Sequence, residues 1–174
     1  MAGASYTAQR LDDALTDGSL AGARLADLLA SGKSAYELAN ALVEIVSPSD
    51  GTQDQESSRA ALADALAELL ENFPNAILTE LTANQRSFLI EIYVSNEVNR
   101  RIALDVGAAI ASKAADIKTA AARLAQMNDY VRQVVAAAFT QARIRGEQLG
   151  PSAIAVQVQE ALRETFAVFE EYTQ

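Results

Sequence analysis

Six of the seven residues from Phe88 to Val94 (FLIEIYV) are apolar, and the run then turns abruptly polar at Ser95-Asn96-Glu97. A surface helix needs an apolar stripe on one side only, so a segment this apolar reads as a helix wrapped by its neighbours. That requirement points to a bundle built around one central helix. Projected at 100° per residue, Phe88, Ile92, Ile102, Val106 and Ile110 share one stripe, the expected buried face, and Ser95 and Asn99 fall on it too. Buried asparagine is costly unless its amide is hydrogen-bonded. Ser95 and Asn99 therefore bond a neighbouring loop or helix end, face a partner, or line a ligand pocket.

The other periodic segments have the same helical period. Ser34-Ala35-Tyr36-Glu37 forms a capping box ahead of Leu38, Leu42, Ile45 and Val46, and Ser47-Pro48 ends that helix. Before it, Ser19 to Ser31 reads as a short helix closed by Gly32, and Thr7 to Thr16 as a weaker one. Residues 47–58 (SPSDGTQDQESS) contain no hydrophobic side chain and are expected to be a flexible loop, the preferred site of nicking. A helix from about 58 to 72 carries Leu62, Leu66, Leu69 and Phe73 and stops at Pro74. Thr82-Ala83-Asn84-Gln85 is a second capping box, opening the central helix, and Gly107 is a point where that helix kinks or ends. A long pattern from about Ala114 to Arg145 places Ile117, Leu124, Val131, Val135 and Ala138 on one face, with an interruption near Asn128-Asp129. After Gly146 and Gly150-Pro151, Ser152 caps a last helix with Ile154, Val158, Leu162, Phe166 and Phe169.

No segment alternates with a period of two and no repeat recurs at 20–50 residues. The expected fold is all-α, a compact multi-helix bundle with long central helices and no β-sheet. Residues 1–18 read as a weakly helical N-terminal segment and 19–174 as a single helical domain.

Composition limits the chemistry more than the fold. There is no histidine and no cysteine. Histidine is the commonest general base and metal ligand, and its absence removes Ser-His and Cys-His nucleophiles and the Glu-x-x-His motif of di-iron bundles. Without cysteine there is no disulfide and no thiolate zinc site. Asp50-Gly51-Thr52-Gln53-Asp54-Gln55-Glu56 has the wrong glycine position for a calcium loop, and no Gly-rich phosphate loop is present. Glu91 and Glu97 point in different directions on the helical projection, against a carboxylate pair. A non-enzymatic protein with no cofactor and no metal is expected.

The N-terminal nine residues lack a basic start and an apolar core, and the longest uncharged run, Gln148 to Gln159, is too short to span a bilayer. A soluble, cytoplasmic chain is expected. Charge is divided. Residues 1–80 carry 13 acidic and 4 basic side chains, and residues 81–174 carry 10 of each. An acidic half opposes binding to a phosphate backbone and is suited to solubility or a basic protein partner.

Arg100 and Arg101 are spaced for intrahelical pairs with Glu97, and Arg101 also for Asp105, as on a solvated face; the sharper reading has both docking an acidic partner. Arg143 and Arg145 suit the C-terminal end of a helix dipole. Asn96, Asn99, Arg100 and Arg101 are the candidate partner contacts.

The succession ANALVEIVSPSDGTQDQESSRAALADALAELLENF, LTANQRSFLIEIYVSNEVNRRI, DYVRQVV and AIAVQVQEALRETFAVFEE resembles the helical region of the B proteins of bacterial Qat anti-phage defence systems, over about residues 20 to 171. The chain departs from the family in its start, Met-Ala-Gly-Ala-Ser, and at Glu97, where the family looks aromatic. The resemblance implies a non-enzymatic adaptor or substrate subunit of a cytoplasmic defence complex. Its partners would be an ATPase, a QueC-like protein and a TatD-like nuclease, and the QueC-like protein would modify the N-terminal amine, here at Ala2. The alternative from charge alone is an acidic immunity or inhibitor-type protein covering a basic effector. A homodimer is compatible with both.

Overall fold

The computed structural model describes Thr7, residues 10–15, Asp27, residues 35–48, residues 51–146 and Arg163. Four long helices organise these residues: α1 (Ala35–Val46), α2 (Gln53–Asn72), α3 (Ala83–Lys113) and α4 (Ile117–Ile144). Thr7 and residues 10–14 are also helical. No strand occurs among the described residues, so the chain is all-α. The helices expected at Ser19–Ser31 and after Ser152, the cap at Ser34, and Ala2 lie outside the described residues, apart from Asp27 and Arg163, both helical and exposed.

At 31 residues, α3 is about 46 Å long, and it packs along both α2 and α4, while α1 packs on α2. Its start is the expected capping box. The Thr82 N–H donates to Gln85 Oε1 at 2.9 Å, and the Gln85 N–H donates to Thr82 Oγ1 at 3.3 Å. The helix passes through Gly107 without ending and stops at Lys113.

Within the polar stretch 47–58, helix follows directly after Thr52. That residue is the N-cap of α2, accepting from the Gln55 N–H, so the helix begins five residues earlier than its apolar pattern suggested. The first turns of α2 make polar contacts instead of apolar ones, and Ser58 within them is buried against Glu97. Gln55 Nε2 donates to Ser47 Oγ at 2.7 Å and to the Pro48 carbonyl at 3.2 Å, and Arg59 donates to the Ser47 carbonyl and to Glu44. Gly51, at φ +78°, supplies the left-handed residue this short turn requires.

Helix α4 runs unbroken through Asn128-Asp129. Asp116 caps it, accepting from the Thr119 N–H at 2.7 Å. Its buried face is Met127, Val131, Val135, Phe139 and Ala142, whereas Ile117, expected on that face, is 89% exposed at the helix end. Gly146 closes the helix at φ +69°.

The core is continuous: Leu11 and Ala14 from the N-terminal segment join Leu42 and Val46 of α1, Leu62, Leu66 and Leu69 of α2, Leu89, Ile90, Tyr93 and Val94 of α3, and the α4 face. Phe73, after α2, meets Phe88 of α3 edge to face, with ring centroids 5.3 Å apart. Arginines tie the helices at their margins. Arg132 of α4 makes a two-pronged bond to Glu68 of α2, both distances 3.0 Å. Arg143 near the end of α4 reaches Ser87 Oγ at 3.2 Å and Glu91 Oε2 at 3.3 Å on α3, as well as sitting where the helix dipole favours it.

Candidate functional site

The deepest face of α3 is not the stripe its sequence advertised. Leu89, Ile90, Tyr93, Val94, Glu97 and Val98 are all buried, recurring at i, i+1, i+4, i+5, i+8 and i+9. On the roughly opposite stripe, Phe88, Ile92 and Asn99 are only half-buried, although Ser95 and Ile102 are covered. Two overlapping apolar stripes exist because the helix is enclosed by α2 on one side and α4 on another.

Ser95 satisfies itself within its own helix, its hydroxyl donating to the Glu91 carbonyl at 2.9 Å, a common resolution for serine inside a helix. Asn99 is different. Its side-chain oxygen is buried and has no hydrogen-bond partner among the described residues. Asn96 Nδ2 lies 3.5 Å from the Ala61 carbonyl of α2, at the long limit of a hydrogen bond.

Arg100 reaches across to Asp64 of α2, Nη2 to Oδ2 at 2.6 Å, rather than along its own helix to Glu97. The reason is geometric. Glu97 lies on the buried face and turns its carboxylate inward, whereas Arg100 flanks that face and finds an acidic residue on the adjoining helix. Arg101 is half-buried on the other flank. The four candidate contacts thus share two turns of α3 but have distinct environments: Arg100 is engaged within the chain, Asn96 weakly so, and Asn99 retains an unmet acceptor.

The polar centre that the sequence did not disclose surrounds Glu97. Its residue exposure is 6%, and Ser58 Oγ of α2 donates to its Oε1 at 2.9 Å. Tyr93, one turn earlier, is fully buried, and the Thr7 and Ser58 hydroxyls bear on its phenol. Burial pushes the phenol's pKa far up, the nearby Glu97 charge pushes it further, and the neighbouring Thr7 and Ser58 hydroxyls work weakly in the opposite sense. Ser58, Tyr93, Glu97 and Thr7 are all within 6% of complete burial, so the cluster presents no face to a substrate. It ties the N-terminal segment, α2 and α3 together. The spacing of Tyr93 and Glu97, four apart on the Leu89–Ile90 stripe, was the available signal.

No group of three carboxylates, histidines or cysteines capable of holding a metal occurs among the described residues. No helix among them is long and apolar enough to cross a membrane.

Comparisons with curated proteins and with solved structures return no match for this chain. A family model described as Qat anti-phage system associated protein QatB matches residues 1–169, nearly the whole sequence. The match covers well over half of the chain, so the chain belongs to the QatB family, and it is a component of an anti-phage defence system.

Proposed function

We propose that this protein is a non-enzymatic helical adaptor or substrate subunit of a Qat defence assembly. The observation that carries the reading is how the chain uses its polar chemistry. Arg59, Arg100, Arg132 and Arg143 tie helices together, and the buried Ser58–Tyr93–Glu97 group is sealed from solvent. A general acid or base must reach a substrate, and these groups do not. Histidine and cysteine are absent, and family membership supplies the setting.

The contact surface in this reading is the half-buried stretch of α3 from Asn96 to Arg101, which carries Asn96, Asn99, Arg100 and Arg101. The partners proposed are the other Qat components: an ATPase, a QueC-like protein and a TatD-like nuclease. The amine at Ala2 is the proposed point of action of the QueC-like protein, and an intact mass from the native operon showing only an unmodified terminus would exclude it.

The deciding experiment is co-purification of the whole chain from its native host, with the recovered proteins identified by mass spectrometry. Recovery of other Qat components is expected, and Asn99→Leu should reduce it while leaving the fold intact. Recovery of a single basic effector and no Qat component would replace the adaptor reading with that of an acidic inhibitor.

A further inference from the structure

We draw no further inference here: the strongest candidate, the buried side-chain cluster of Ser58, Tyr93 and Glu97 between α2 and α3, belongs to the site already described and, closed to solvent, offers no face to a ligand or partner.

Discussion

Glu97 places a carboxylate where the chain has little water to offer it, and Ser58 is the donor that makes this tolerable. Removing a donor from a buried charge costs more than removing both groups, because the survivor keeps its desolvation penalty. Ser58→Ala should thus destabilise the fold by about 2–3 kcal/mol, and Glu97→Leu added to it should recover much of that loss. A double-mutant cycle by urea unfolding measures both numbers; simple additivity would mean the two residues do not act as a pair. Asp12 tests the opposite sign. A carboxyl whose pKa is higher in the folded than in the unfolded chain favours folding below its ordinary value of 3.8 and loses that contribution as pH rises through the raised value. At neutral pH the ionised group is a small penalty, held by burial against the pull of Arg86 and reinforced by Asp13. Asp12→Asn is expected to raise Tm by about 1–2 °C at pH 7, with the gap closing towards pH 3, as thermal melts across that range would record.

At the scale of the element, helix ends were legible wherever a short polar code sits beside its partner. Thr82 and Gln85 are three residues apart and bond reciprocally, so sequence alone located the start of α3. Thr52 and Gln55 carry the same spacing, and the same rule would have found the start of α2, but the apolar pattern begins later because the first turns are held by polar contacts. Faces were harder to read than ends. A helix enclosed on several sides has more than one apolar stripe, and the projection of α3 favoured the one that Ile92 and Asn99 share over the deeper one that Tyr93 and Glu97 share. The Ser58–Glu97 pair spans 39 residues of sequence, so no local pattern encodes it. The caps lead to two predictions. Thr82→Ala should cost about 1 kcal/mol, or about 2–4 °C in Tm, with helical content near the start of α3 reduced. Asp116 has its pKa lowered by the Thr119 N–H first, with the Thr119 hydroxyl and the Lys118 N–H adding to it. A lowered carboxyl contributes stability above its ordinary value of 3.8 and loses it as pH falls through the depressed value. Amide exchange in the first turn of α4 should therefore accelerate at strongly acid pH, and Asp116→Ala should show the fast exchange at every pH.

Across the whole molecule, the acidic excess of residues 1–80 is partly consumed inside the structure. Glu44 and Glu56 face Arg59, Asp64 faces Arg100 and Glu68 faces Arg132, so the last two acids draw on arginines of the basic-balanced half. Charge division along the chain thus serves helix pairing as well as any partner. Arg100 is where these roles separate. Its pair with Asp64 is partly solvent-accessible, with side-chain exposures of 38% and 58%, and such pairs contribute about 0.2–1 kcal/mol to stability. Arg100→Glu should accordingly lower Tm only slightly, yet reduce capture of a Qat partner by about tenfold if that partner presents acid to this face. Asp64→Arg added to Arg100→Glu rebuilds the pair with its polarity reversed. Recovery of Tm without recovery of binding would assign Arg100 to the partner interface. Recovery of both would mean that Arg100 acts only by holding α2 against α3, and the contact surface would then have to rest on Asn96, Asn99 and Arg101.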